Sequence, residues 1–324
     1  MKNISKTIPF LLVAVFLFIG ALIAGAAINP VAVEIQPKEA PPVFVLAFDN
    51  TPRQLGGKNL AVDKSGKYIY VMNMTNFTVC DSSGKQIGDA DNATGKPTNA
   101  GYLYDVAINS QNHLILSDVS NNHVLEYKVN PNLPNQMIKL VRKIDGVTNG
   151  NVPLKAPTYI AIGPGNRLNV TCDKYIVAEI QHPFYRKIGL GKLSKPTGIA
   201  VDSHGDIYVA DANASCIYKY SRSGTLLKTI GRPGSGYGSF NAPAAIKIGS
   251  GDNLYVCDTG NNRIQKLDKD GNFITAWGAT ITNGYKAFRR FDHPCGIALY
   301  STIRYVNDAG GVQKFRQVQI PIPQ

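Results

Sequence analysis

The feature that most constrains this chain is a stretch that states one pattern twice. Residues 195–231 read KPTGIAVDSHGDIYVADANASCIYKYSRSGTLLKTIG, and residues 242–278 read APAAIKIGSGDNLYVCDTGNNRIQKLDKDGNFITAWG. Each copy holds four short apolar runs separated by small or polar turn residues, around Ile199, Ile207, Ile217 and Leu226 in the first and Ile246, Leu254, Ile264 and Phe273 in the second. A four-strand unit of this length, repeated, is the signature of a β-propeller blade.

Tracing the first run along the chain gives six copies, centred on Leu60, Val106, Ile160, Ile199, Ile246 and Ile297, with spacings of 46, 54, 39, 47 and 51 residues. The expected fold is therefore all-β, a six-bladed propeller of four-stranded antiparallel blades, preceded by an N-terminal hydrophobic helix. The first two runs of each copy are apolar almost continuously, as strands covered on both faces must be. The second run closes on Asn73, Asp118, Cys172, Asp211, Asp258 and Asp308. An Asx side chain there can accept from the backbone two residues on and pin the following turn. Cys172 breaks the pattern and blade six is shortened at residues 308–311, so those two turns should differ. Gly84, Gly224 and Gly271 mark hairpins between the third and fourth strands. Copy six lacks a fourth run, whereas an orphan run, VFVLAF at 43–48, precedes copy one. It should complete the sixth blade as its outermost strand and seal the ring.

KPTGIAVDSHGDIYVAD, DTGNNRIQKLDKDGNFITAWG and the loop GRPGSGYGSFNAP resemble NHL repeats, closely in copies four and five, recognisably in two and six and loosely in one and three. The resemblance spans about 43–320, and it implies a six-bladed propeller that serves as an interaction platform.

Motifs for chemistry are sparse. Residues 234–238, GSGYG, lack the helix that a phosphate loop needs and lead into another strand, so they read as an inter-blade loop. No Gly-x-Ser-x-Gly elbow occurs. The histidines, His113, His123, His182, His204 and His293, are scattered over four copies. A peptidyl-hydroxyglycine lyase, a six-bladed enzyme that the repeat also resembles, holds zinc through histidines in Pro-His-Gly entries. The matching positions here are Thr197 and Cys295. His123, in DVSNNHV, resembles one further element of that enzyme but stands where Arg263 stands in copy five. Asp63, Asp202 and the second-strand aspartates suit turn capping, with calcium as the alternative. No metal site or cofactor is assigned, zinc or calcium remaining the alternatives. Five cysteines without a CxxC pair read as buried free thiols. Sequons occur at Asn73, Asn76, Asn92, Asn169 and Asn213.

Lys2 and Lys6 precede an uncharged apolar run over 8–28, a signal peptide or membrane anchor (1–28) that would place the remainder outside the membrane. A proline-containing linker (29–42) leads to the propeller (43–320). The net charge of +12 draws an exported protein toward polyanions rather than nucleic acid. In a propeller the loops between strands two and three share a face with the inter-blade loops. On one side of that rim, in the loops from blade three to blade six, Lys192, Lys195, Arg232, Lys286, Arg289 and Arg290 stand against one acid, Asp292, with Arg263 and His123 on the same face, whereas the other rim loops are roughly neutral or acidic. The expected function is a monomeric, exported or membrane-anchored platform whose rim binds a protein or an acidic surface polymer. The alternative is a metal-dependent lyase or hydrolase at the channel mouth.

Overall fold

The computed structural model describes residues 43–47, 59–72, 75–89, 101–130, 138–145, 154–181, 184–278 and 291–316. The leader and linker expected over 1–42 lie outside the described residues, as do Lys286, Arg289, Arg290, His182, Asn73 and Asn92.

The described strands form six four-stranded antiparallel sheets. After β1 (Val43–Ala47), blade one contains β2 (Leu60–Val62), β3 (Tyr68–Met72), β4 (Phe77–Asp81) and β5 (Gln86–Asp89). Blade two contains β6 (Leu103–Ile108), β7 (Leu114–Asp118), β8 (His123–Val129) and β9 (Ile138–Ile144). Blade three contains β10 (Pro157–Gly163), β11 (Arg167–Cys172), β12 (Tyr175–Gln181) and β13 (Phe184–Ile188). Blade four contains β14 (Pro196–Val201), β15 (Ile207–Asp211), β16 (Cys216–Tyr220) and β17 (Leu226–Ile230). Blade five contains β18 (Ile246–Ile248), β19 (Leu254–Asp258), β20 (Arg263–Leu267) and β21 (Phe273–Trp277). Blade six contains β22 (Gly296–Tyr300), β23 (Ile303–Asp308) and β24 (Gly311–Arg316).

The orphan strand completes the ring as expected. β1 runs antiparallel to β24, pairing Val43 with Arg316 and Ala47 with Gln313, with a bulge between Phe44 and Leu46. The sixth sheet thus takes its outer strand from the beginning of the chain and its inner three from the end.

Why these strands stack is visible in the registers. The six central residues of the inner strands each face a branched aliphatic on the second strand: Leu60 opposite Val71, Val106 opposite Leu116, Ile160 opposite Val170, Ile199 opposite Val209, Ile246 opposite Val256 and Ile297 opposite Val306. Second strands β7, β15 and β19 are buried along their whole length, because both faces are covered by neighbouring blades. The core is accordingly divided into six clusters, one per blade–blade interface. Met72, Phe77 and Leu116, for example, join blades one and two, whereas Leu60, Tyr305 and Val312 join blades six and one. No blade can bury its apolar faces alone, which is why the ring must close.

Turn chemistry follows the sequence with one correction. Gly84, Gly224 and Gly271 adopt φ of 89°, 97° and 85° in the third-to-fourth hairpins. In blade three Cys172 pairs with Tyr175, and in blade six Asp308 pairs with Gly311, leaving two-residue turns where blades two, four and five have four-residue ones. In the four-residue turns the aspartate reaches three residues on, not two: Asn121 N–H donates to Asp118 and Ala214 N–H to Asp211. Among the described second-to-third turns the two-residue reach occurs in the short turn of blade six, from Gly310 N–H to Asp308.

Candidate functional site

The rim that carries the second-to-third turns is built on those same aspartates. Each uses its carboxylate to tie its own turn to the loop that enters its blade. Asp118 accepts from Gly101 N–H at 2.9 Å, Asp211 from Ser194 N–H at 2.7 Å, Asp258 from Asn241 N–H at 2.8 Å and Asp308 from Asp292 N–H at 3.1 Å. This confirms that the turns and the inter-blade loops share one face.

A second set of bonds hooks each turn to the following blade. The last turn residue lies in the left-handed region (Asn122 φ 56°, Ser215 φ 48°, Asn262 φ 53°). Its side-chain oxygen accepts from Ala156, Ala242 and His293 N–H respectively, each of which is itself in the left-handed region. On the opposite face Lys64, Ser110 and Ser203 donate their N–H groups to Asn112, Asn166 and Asp252 of the next blade. Short Asx and Ser side chains suit these places because they tolerate positive φ and supply an acceptor.

Two candidate rim residues turn inward. Arg263 is only 5% exposed; its Nε donates to Asp258 at 2.7 Å and its Nη2 to the carbonyls of Gly236 and Ser239. His123 is 6% exposed, with Nε2 3.2 Å from Asp118. The equivalence between His123 and Arg263 therefore holds in space: each accompanies the aspartate of its own turn. The glycine-rich loop at 234–238 is consumed in the same assembly, with Gly238 N–H donating to Gln265 and no helix following. Lys192, Lys195 and Arg232 are exposed. Lys192 Nζ lies 5.0 Å from the centroid of the Tyr218 ring, a cation–π contact.

The histidines and acids weighed as metal ligands lie apart wherever they are described. Among the described residues no three His, Cys, Asp or Glu side chains gather as a metal would need. Asp63 accepts from Ser65 and Tyr68 N–H, and Asp202 from His204 and Asp206 N–H, the turn-capping role expected of them. Thr197 Oγ1 donates to the Pro243 carbonyl. The Cys295 thiol donates to the Asn307 carbonyl at 3.6 Å. All five cysteines are free; four are buried, and burial raises the Cys172 thiol to about 12. Of the sequons, Asn76 and Asn169 are buried and Asn213 is exposed.

The inner strands of all six blades line a central channel of about 220 Å³. One position after the central residue they carry Ala61, Ala107, Ala161, Ala200, Lys247 and Ala298, register equivalents in the six sheets. At the next position a half-buried aliphatic collar, Val62, Ile108, Ile162, Val201, Ile248 and Leu299, surrounds the channel. Toward the turn-bearing rim, Asp105 is buried; its oxygens accept Val106 N–H at 2.7 Å and Ile160 N–H at 2.8 Å. Burial raises its carboxyl, and the Lys247 charge acts against that rise. Beside it the Tyr104 and Tyr159 hydroxyls lie 3.2 Å apart. Neither Lys247 nor Asp105 was among the residues singled out in the sequence. Comparing the position after each central residue would have isolated Lys247 among five alanines.

The NHL repeat family model matches residues 193–220 and 240–267, the inner three strands of blades four and five with their entry loops. Blades four and five carry NHL repeats. No curated protein sequence matches the chain. Among solved structures, virginiamycin B lyase from Staphylococcus aureus is similar, with a TM-score of 0.56 and 14% identity over 83% of this chain and 97% of that one. A catalytically inactive variant of that lyase with quinupristin has a TM-score of 0.57 and 14% identity over 86% and 99% of the two chains. A streptogramin B lyase has a TM-score of 0.57 and 12% identity over 83% and 96%. At these identities the likeness establishes the fold.

Proposed function

We propose that this NHL-repeat propeller is a binding platform whose turn-bearing rim takes an acidic partner, a protein or a surface polymer, on the outer side of a membrane. The observation that carries the reading is how charge is sorted on that rim. Its latch aspartates, Asp118, Asp211 and Asp258, are fully buried and engaged by backbone N–H groups and, at Asp118 and Asp258, by side chains of their own blade, whereas Lys192, Lys195 and Arg232 project outward. Among the described residues of the rim the exposed acids each have a basic neighbour: Asp145 pairs with Lys143 at 3.1 Å and Asp292 with His293 at 2.6 Å, while Asp173 adjoins Lys174. Lys286, Arg289 and Arg290 would extend the basic area. Residues 8–28 would hold the platform at the membrane or direct its export.

Retention on immobilised heparin, a sulfated polyanion, tests the reading. Reversing Lys192, Lys195 and Arg232 to Glu should lower the salt needed for elution well below that of a control carrying Lys67→Glu, Lys85→Glu and Lys128→Glu, which makes the same change in net charge elsewhere. Equal losses in the two variants would show that bulk charge, not the rim, does the binding. Adding Arg289→Glu and Arg290→Glu should deepen the loss.

The alternative, a metal-dependent lyase or hydrolase at the channel mouth, draws less support from the residues that resemble peptidyl-hydroxyglycine lyase. Thr197 and Cys295 occupy the places where histidines would be required, and His123 is committed to Asp118.

A further inference from the structure

The channel contains a cation that no hydrogen bond or ion pair among the described residues engages. By register, Lys247 occupies the position of Ala61, Ala107, Ala161, Ala200 and Ala298 in the other five blades, facing Tyr255 where four of the others face Tyr or Ile. The propeller packs with alanine at this place, so lysine is not a requirement of the fold. Its side chain is half-buried and lines the channel, and among the described residues its ammonium has no hydrogen-bond or ion-pair partner. A partly desolvated ammonium among aliphatic walls is costly unless an anion accompanies it.

The surroundings set the kind of anion. Lys266 and Arg304 lie over the ring of Tyr255, the residue that Lys247 faces in register, 5.7 and 4.8 Å from its centroid. Asp105, on the opposite wall, has both oxygens engaged by backbone N–H groups and is not within ion-pair distance of Lys247. The inner strands are sheet edges, so their outward N–H and C=O groups point into the channel and can hydrogen-bond a polar guest. Next to this polar ring stands the six-membered aliphatic collar, which matches a short alkyl group.

We propose that the central channel binds a small organic carboxylate, its charge on the Lys247 ammonium and its alkyl end in the collar from Val62 to Leu299. This site is separate from the basic rim, so either can stand without the other.

Calorimetric titration of the full chain with butyrate, 1-butanol and inorganic phosphate tests it. Butyrate should bind the parent protein, and its affinity should fall roughly tenfold or more in Lys247→Met, the loss expected for a charge-assisted hydrogen bond. Lys247→Ala, which restores the residue of the other five blades, should fold normally by circular dichroism and also lose binding. Butanol should bind neither variant nor parent measurably. Butyrate binding unchanged in Lys247→Met and Lys247→Ala, no butyrate binding to the parent, or phosphate binding in its place would each overturn the proposal.

Discussion

At the scale of single residues, the same amino acid does different work according to what its strand end faces. Asp258 is the most heavily engaged: it accepts from Asn241 N–H, Asn261 Nδ2, Arg263 Nε and Gln265 Nε2 while having no exposure to solvent. Asp258→Ala strands a buried guanidinium and should cost about 3–5 kcal/mol. Asp211→Ala, which strands only backbone N–H groups, should cost about 1–3 kcal/mol. Urea denaturation of the two variants measures the difference, and equal losses would remove the ion pair from the account. Glu126 gives a pH signature. Burial raises its carboxyl, but bonds from His113, Arg142 and Asn109 outweigh this and hold it below its ordinary value of 4.5. A depressed carboxyl contributes stability above its unfolded value and loses it as pH falls through the folded one. The parent protein should therefore lose stability on acidification below 4.5, and Glu126→Gln should flatten that part of the profile.

At the scale of elements, turns and edges decide what the strands can tolerate. Gly271 sits at φ 85°, and a Cβ there would meet Ile230 Cγ2 at 2.5 Å; Gly191 has φ 74° with nothing within 4 Å. Both alanine substitutions carry the left-handed backbone cost of about 1–2 kcal/mol. Gly271→Ala should lower the melting temperature further, because the clash falls on the blade-four strand packed against it. The closing strand makes a stronger demand. Removing residues 1–47 leaves β24 with an unpaired edge, so the truncated chain should melt at lower temperature and associate in a concentration-dependent way, which scanning calorimetry and light scattering would detect. A truncated chain that stays monomeric and equally stable would show that the closure is dispensable. These elements were legible in the sequence because their causes are local. Apolar runs, Asx turns and the orphan 43–48 run each announce themselves within a few residues. The three-residue reach of Asp118 and Asp211 was not legible, since it depends on the length to which the turn actually closes.

At the scale of the whole molecule, function depends on how six similar blades are oriented round one axis. Sequence patterning assigned the turns and inter-blade loops to a common face, and the latch bonds from Gly101, Ser194, Asn241 and Asp292 place them there. Charge on that face obeys screening, so heparin retention by the parent should weaken steeply with salt, and the rim-reversed variant should show the shallower dependence. Which charges face outward was outside the reach of the sequence. Arg263 and Lys195 look alike in a list of basic residues, yet Arg263 is drawn inward by Asp258, Gly236 and Ser239 and Lys195 is left exposed. The sequence by itself determined the number of blades, their strand order, the closure through β1 and that the turns of blades three and six differ from the rest, because periodicity and turn chemistry are carried by neighbouring residues. Only the tertiary structure decided that Lys247 enters the channel and that the Asx hooks join successive blades. Those facts depend on contacts between segments tens of residues apart, which no local pattern encodes.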